Sequence, residues 1–322
     1  MRIFVAGATG AVGRALVPAL VAAGHSVTGM TRSPEKANGI RRAGAEPVVA
    51  DGLNARAVRA AVISARPDAI IDEMTDLATV TDLRHFDRAF ASTNRLRTDG
   101  TDHLLAAARE AEVKRFIAQS FCGWTFSREG DAIKTEADEL DPDPPRELAR
   151  TLDALRYLEQ IVTTSIHPEG IVLRYGSFYG PGTGMFSHAM IDEIRHRRVP
   201  LIGNGAGWWS FVHVDDAASA AVAAIERGKP GEIYNVVDDE PAQVSQWLPA
   251  LSGILGAKPP IHIPAWVGRL LAGEHMVSMM TQVRAGSNAK AKQELGWQPK
   301  YPSWRQGFAE AARLPVERRI AA

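Results

Sequence analysis

A glycine-rich stretch near the N-terminus carries the strongest chemical signal in the sequence. Gly7, Gly10 and Gly13 lie three residues apart, after the strand-like run 2–6 and before an alanine- and leucine-rich helical segment. Glycines at this spacing permit a tight turn and close backbone approach, and free N–H groups at the helix start favour a diphosphate. The context predicts a dinucleotide-binding loop, with an unliganded turn as the alternative, formed by Gly7, Thr9, Gly10, Ala11, Val12 and Gly13.

Residues after the second and third predicted strands bear on the choice of nucleotide. Thr31 and Arg32 end the second strand, where an acid would suit a ribose 2′-hydroxyl and an arginine suits a 2′-phosphate. This favours NADP over NAD, although Arg32 is also compatible with a solvated surface charge. Asp51, Gly52 and Leu53 follow the third strand, where the carboxylate is placed to accept from an adenine amino group or simply to end the strand in a turn.

The elements that position these residues alternate along the first half of the chain. Short β-branched runs alternate with longer helical stretches, which is typical of βαβ units around a parallel sheet. The fold class is therefore predicted as α/β, with a doubly wound parallel sheet. Strands are expected near residues 3–6, 25–30, 46–50, 69–71, 115–119 and 170–174, and helices near 12–23, 55–65, 101–111 and 147–162.

The second half of the chain changes in composition. After Tyr179, Gly, Pro and Trp become more frequent and the helical pieces become shorter. We expect residues 1–175 to form a dinucleotide-binding domain to which residues 207–240 return. Residues 176–206 and 241–322 are then expected to form a smaller substrate-binding region.

Composition and charge limit the partners. Lys plus Arg and Asp plus Glu both number 37 in 322 residues, so no net field favours nucleic acid or an anionic membrane. The basic cluster 195–198 is short, and no apolar run reaches the roughly 20 residues of a membrane helix. We expect a small-molecule partner, and the sequence is also compatible with a homodimer.

Cysteine and histidine usage bears on compartment and metals. Cys122 is the single cysteine, which excludes an intramolecular disulfide framework. The nine histidines show no paired ligand spacing. These features predict a cytoplasmic protein without a metal site.

Many ordered motifs resemble the extended short-chain dehydrogenase/reductase superfamily, within its NAD-dependent epimerase/dehydratase group. The resemblance runs almost the full length of the chain and implies a Rossmann-type sheet with a nicotinamide cofactor laid across the strand ends. It adds Ser120 and Tyr175, at the ends of two strands, to the cofactor-binding residues. Besides the glycine loop and Asp51 with Leu53, the motifs are 100–108, 113–120, 173–182, 211–216, 234–236, 288–290 and 295–297.

The sequence departs from this family at its catalytic pair. The family pattern implies a tyrosine and, four residues later, a lysine that lowers the tyrosine pKa for proton exchange during hydride transfer. Counted back from Glu159, these positions hold Thr151 and Leu155. Phe121 also stands where a catalytic hydroxyl would usually lie.

An acid or base would then have to come from elsewhere around the strand ends. Cys122 follows the fifth strand, but a lone cysteine is often a buried small hydrophobe. Tyr179 lies in a loop that the family uses near nicotinamide and substrate, or serves as a conformational anchor. Glu73 could act as a base beside the nicotinamide or cap the next segment. His188 could face the substrate or the solvent.

Three tryptophans suggest the kind of substrate. Trp124, Trp208 and Trp209 could form a flat apolar wall for an aromatic or polycyclic molecule, or pack within their loops. Two functions remain. The first is an NAD(P)-dependent oxidoreductase or epimerase acting on a small organic molecule by hydride transfer. The second is an NADP-binding redox sensor resembling the NmrA type, without turnover.

Overall fold

A parallel sheet forms the centre of the computed structural model, which describes residues 1–77 and 83–313. Its strand order is β12-β7-β5-β4-β1-β2-β3, seven strands within the described residues, and every neighbouring pair is parallel. These strands are β1 (Arg2–Ala6), β2 (Ser26–Thr31), β3 (Glu46–Val49), β4 (Ala69–Asp72), β5 (Arg115–Phe121), β7 (Glu169–Tyr175) and β12 (Ile233–Val236).

Short strands lie outside the central sheet and form two-stranded pairs. They are β6 (Ile133–Lys134), β8 (Ser177–Tyr179), β9 (Leu201–Ile202), β10 (Trp208–Trp209), β11 (Phe211–His213), β13 (Ala242–Gln243), β14 (His262–Ile263) and β15 (Ala285–Gly286). The pairs are β10 with β13, β11 with β8, β14 with β9 and β15 with β6.

Helices cover both faces of the sheet. In chain order they are α1 (Ala11–Ala22), α2 (Ala37–Arg42), α3 (Ala55–Ala65), α4 (Phe86–Ala89), α5 (Ala91–Arg95), α6 (Thr101–Glu110), α7 (Arg146–Thr163), α8 (His188–Arg195), α9 (Val214–Arg227), α10 (Val244–Ile254), α11 (Ala265–Ala272), α12 (Glu274–Thr281), α13 (Ala289–Leu295) and α14 (Trp304–Arg313). A single π-type turn, Leu96–Gly100, joins α5 to α6.

The core follows from this layering. One apolar cluster packs α1, α9 and α13 on one face of the sheet, and a second packs α3, α6 and α7 on the other. Strand β4 is buried along its whole length, as expected for a strand covered on both faces. The predicted doubly wound α/β fold is confirmed.

A third apolar cluster lies in the second half of the chain. It joins β9 and the helices α8, α10 and α14, with Trp304 and Phe308 among its fully buried side chains. Strand β12, from the second half of the chain, pairs with β7 in the central sheet, and the division into two regions stays a prediction. No helix in residues 1–77 and 83–313 is long and apolar enough to cross a membrane.

Candidate active site

The glycine loop between β1 and α1 has the shape of a phosphate cradle. Gly7 has a φ of +83°, and a Cβ there would lie 2.5 Å from the carbonyl oxygen of Glu73. A Cβ on Gly13 would lie 2.3 Å from the Gly7 carbonyl oxygen, so only glycine allows this approach of helix and loop. Gly10 precedes α1 without a capping side chain, which leaves the first-turn N–H groups for a diphosphate.

Two hydroxyls join this loop to the end of β2. Thr9 Oγ1 lies 3.1 Å from Thr31 Oγ1, which also accepts from the backbone N–H of Ser33. The half-exposed Arg32 guanidinium extends from the same strand end and pairs with Asp76 at 2.5 Å. The structure thus brings Thr31 and Arg32 beside the loop, and contact of Arg32 with a 2′-phosphate stays a prediction.

The segment after β3 forms a turn that reaches towards β4. Asp51 Oδ1 accepts a hydrogen bond from the Leu53 backbone N–H at 3.0 Å, which forms the strand-ending turn. The other carboxylate oxygen, Oδ2, does not take part in this bond. A Cβ on Gly52 would lie 2.4 Å from Met74 Sδ. Met74, just past β4, therefore closes the bottom of this turn, a role that the sequence did not indicate.

Glu73 and Tyr175 meet beneath the loop, although they are 102 residues apart. The Tyr175 hydroxyl donates to Glu73 Oε1 at 3.1 Å, and both side chains are buried. Burial raises the pKa of Glu73 to about 8, and that of neighbouring Asp72 to about 7. Glu73 is thus mainly protonated at neutral pH, and its role as a base stays a prediction that this environment does not favour.

The Glu73 carboxyl makes stability fall as pH rises. Its pKa is raised in the folded chain, so its contribution is fully present below its ordinary pKa of 4.5 and is lost as pH rises to about 8. We expect urea denaturation to show a loss of about 1–2 kcal/mol in the free energy of unfolding between about pH 6 and pH 8. Glu73→Gln should flatten this slope, whereas the exposed control Glu46→Gln should not. Equal slopes in Glu73→Gln and the unmodified protein would contradict the assignment.

Ser120 belongs to a buried ionic cluster behind the site. Its hydroxyl donates to Glu159 Oε1 at 2.6 Å, and Arg174 donates to both Glu159 oxygens at 2.8 and 2.7 Å. The cluster ties α7 to β5 and β7 at the carboxyl edge of the sheet. Ser120 is therefore held by the protein, and contact with a cofactor stays a prediction.

A small cavity of about 40 Å³ lies directly after β5. Aromatic rings dominate its lining, and Trp124 packs against Phe121 with ring centroids 6.0 Å apart. The three tryptophans singled out from the sequence all line it. The lining residues are Phe121, Cys122, Gly123, Trp124, Ser177, Trp208, Trp209, Ser210 and Val283.

The remaining candidates for acid–base chemistry lie in different environments. Cys122 is fully buried, and burial raises the pKa of its thiol, so it stays protonated at neutral pH. Tyr179 is also fully buried and packs edge-on against Phe308 in the third cluster. His188 is exposed at the first turn of α8, and neither it nor Tyr179 lines the cavity. Packing suits Cys122 and Tyr179 better than catalysis, and all three catalytic roles stay predictions.

Comparison with known proteins identifies the family. The family model described as "NAD dependent epimerase/dehydratase family" matches residues 3–236. The chain belongs to this family. Membership confirms the resemblance inferred from the motifs.

Two curated relatives of this epimerase/dehydratase chain are named as reductases. A 3-diazoavenalumate denitrifying reductase from Streptomyces sp is 42% identical over 310 residues, covering 96% of this chain and 99% of the relative. A 4-hydroxy-2-methyl-3-oxo-4-farnesyl-3,4-dihydroquinoline-1-oxide ketoreductase from Stigmatella aurantiaca is 30% identical over 302 residues, covering 92% of this chain and 87% of the relative.

Solved structures share the fold. A human epimerase family protein with NADPH superposes with a TM-score of 0.76 at 20% identity, covering 98% of this chain and 100% of that chain. A UDP-glucose 4-epimerase from Thermotoga maritima, solved with UDP-glucose, gives a TM-score of 0.75 at 23% identity, covering 97% of each chain.

The two positions of the family's catalytic pair are buried in this epimerase/dehydratase chain. Thr151 and Leu155 are both fully buried on α7. Thr151 Oγ1 accepts from Asn94 Nδ2 at 3.0 Å, and Asn94 Oδ1 lies 3.4 Å from the guanidinium of Arg97. Asn94 and Arg97 were missed by the sequence reasoning. No local sequence signal pointed to them, because the contact of Asn94 with α7 joins residues 57 positions apart.

In the part of the chain that the structure describes, no group of three or more His, Cys, Asp or Glu side chains is arranged to hold a metal ion.

Proposed function

We propose that the chain is an NADP-dependent reductase of an aromatic or bicyclic ketone-like substrate. One observation carries this proposal: the phosphate cradle and the aromatic cavity open at the same edge of the sheet. The cradle follows β1 and the cavity follows β5, with β4 between them. Adjacent strands are about 4.8 Å apart, so the two sites start about 10 Å apart, within the length of a dinucleotide.

The residues around the cradle fit a nicotinamide dinucleotide. The first-turn N–H groups of α1 would bind the diphosphate, and Gly52 with Met74 would support the adenine side. Thr31 and Arg32 would take the 2′-phosphate of NADP. When bound, this cofactor supplies a hydride, and the aromatic wall of Trp124, Trp208 and Trp209 excludes water from the acceptor.

The names of the relatives support the substrate class. One relative is named for a diazo compound and the other for a dihydroquinoline, which is a bicyclic ring. The tryptophans that line the small cavity offer flat apolar faces against which such a ring would stack. We propose that residues 176–206 and 241–322 form the substrate side of the molecule.

A substrate screen tests the proposed function. Purified protein is mixed with NADPH and a panel of aromatic ketones, quinoline-type ketones and diazoarenes, and the loss of NADPH absorbance is measured. We expect turnover with members of this panel. Tight NADPH binding without oxidation by any member would favour the redox-sensor alternative.

Arg32 should determine the preference for NADPH over NADH. Arg32→Ala removes a charge-assisted bond to the 2′-phosphate, so the Kd for NADPH should rise about tenfold while that for NADH changes little. Arg42→Ala, an exposed arginine on α2, is the matched control. Calorimetric titration of both nucleotides measures the effect. Equal losses for NADPH and NADH would show that Arg32 does not contact the 2′-phosphate.

A further inference from the structure

Arg97 is a buried arginine without a carboxylate partner among the described residues. It is 7% exposed, and its hydrogen bond to Asn94 Oδ1, at 3.4 Å, is the one that joins it to a described residue. Arg174, which is 4% exposed, instead makes a two-pronged ion pair with Glu159. Both arginines are buried, but only Arg174 has an ion-pair partner in the part of the chain that the structure describes. Burial alone therefore does not explain why Arg97 lacks one there.

An isolated buried guanidinium is costly. Removing a charge from water carries a large desolvation penalty unless an opposite charge or hydrogen bonds offset it. Burial lowers the pKa of Arg97 only to about 10, so the side chain keeps its charge at neutral pH. Its Nε and Nη2 donors remain available for an oxygen-bearing ligand.

The backbone at Arg97 is unusual as well. Residues Leu96–Gly100 form the π-type turn, and such turns are frequent at functional sites. Thr101, which follows the turn, donates from its hydroxyl to Asp72 at the end of β4. Arg97 therefore lies at the carboxyl edge of the sheet, where ligands of this fold bind.

The segment that carries Arg97 runs beside α7. Phe86 packs with Leu148, and Asn94 bonds Thr151, so the segment from α4 to the π-type turn runs alongside α7 in the same direction. The turn itself packs against α7. Arg97, three residues after Asn94, thus lies in the turn that packs against α7, the helix that carries Leu155.

We propose that Arg97 binds the oxygen of the substrate's acceptor carbonyl and stabilises the negative charge that develops there. This inference rests on the proposed reductase function. Asn94 fixes the guanidinium, because its amide donates to Thr151 and its carbonyl oxygen accepts from Arg97. The fixed donors thereby replace the electrostatic contribution of the missing lysine.

The step balances without a tyrosine. A C–H bond forms as the carbonyl carbon receives the hydride, the π bond breaks, and its electron pair moves to oxygen. Water then protonates this oxygen, because the Arg97 guanidinium keeps its proton at neutral pH. The substrate is reduced by two electrons, and the nicotinamide is oxidised by two.

Substitutions at Arg97 test the proposal through binding as well as turnover. The variants are Arg97→Met and Arg97→Lys, with Arg95→Met, an exposed arginine on the same segment, as the matched control. The probe is 4-hydroxybenzoate, whose carboxylate stands in for the charged oxygen, titrated by calorimetry into the NADP-loaded protein. NADPH affinity and thermal stability are measured in parallel.

The expected pattern separates the roles open to Arg97. Arg97→Met should weaken probe binding about tenfold and lower kcat about 100-fold with a smaller change in KM, while NADPH affinity and melting temperature are maintained. Arg97→Lys should retain part of the probe binding and part of the turnover. Guanidinium chloride should partly restore the turnover of Arg97→Met. The control should match the unmodified protein.

Three results would overturn the inference. A loss of NADPH affinity with unchanged probe binding would assign Arg97 to the cofactor. A large drop in melting temperature in both Arg97 variants would make it structural, and absence of probe binding by the unmodified protein would remove the anion site. Failure of the proposed function is distinguishable, because it appears as no NADPH oxidation in the substrate panel while the probe still binds through Arg97.

Discussion

Gly10→Asp should weaken NADPH binding by at least about 100-fold while the protein stays folded. The new carboxylate would face the diphosphate at the start of α1, where the N–H groups point. Gly10 has a φ of −72°, which any residue adopts, so the backbone accepts the change. An aspartate at this position also caps the helix, so the melting temperature should hold or rise.

The control for this prediction is Gly39→Asp. Gly39 is exposed on α2, and a Cβ there meets nothing within 4 Å, so the same chemical change occurs away from the cradle. Calorimetric titration with NADPH and thermal denaturation are measured on both variants. Unchanged NADPH affinity in folded Gly10→Asp would refute the cradle and with it the proposed function.

Glu159→Ala should lower the free energy of unfolding by about 3–5 kcal/mol. The substitution leaves the Arg174 guanidinium buried without its carboxylate and removes the acceptor of Ser120. Asp153→Ala is the matched control, because Asp153 pairs with Arg156 on the exposed face of the same helix. The control should change stability by less than about 1 kcal/mol in urea denaturation.

A double variant distinguishes a buried charge from lost packing. Glu159→Leu combined with Arg174→Met replaces both charges with apolar groups of similar size, which is often neutral for buried ion pairs. We expect the double variant to recover most of the stability that Glu159→Ala loses. If it is as unstable as Glu159→Ala, the cluster matters for its shape rather than its charges.

The buried ion pair also bears on the site. Glu159 lies two helical turns beyond Thr151 on α7, and the pair anchors this helix to β7. Asn94 donates to Thr151, about two turns earlier on the same helix. Glu159 thus anchors α7, while Thr151 and Leu155, where the resemblance places the family's tyrosine and lysine, are buried in the core.

The sheet and the glycine loop could be predicted from the sequence. Their signals are local: β-branched runs and apolar spacing specify strands and helices, and Gly7 and Gly13 mark two close backbone approaches that only glycine allows. The family motifs reinforced the same elements. The observed β3, for example, covers residues 46–49 against a predicted 46–50.

The catalytic neighbourhood could not be predicted in the same way. Tyr179 was a candidate because of its position in a family motif, yet its ring lies in the third apolar cluster. His188 was a candidate by type, yet it is exposed. Residue type and motif position do not specify which way a side chain faces when distant segments pack on either side.

The sequence by itself determined the doubly wound sheet, the glycine loop and the absence of the usual tyrosine and lysine, because each depends on neighbouring residues or on a motif. Only the tertiary structure decided that Glu73 meets Tyr175 and that Asn94 meets Thr151, contacts between residues 102 and 57 positions apart. It also decided that Arg97 is buried without an ion-pair partner in the described chain. Such environments arise from packing between distant segments, and desolvation by that packing gives these groups their altered chemistry.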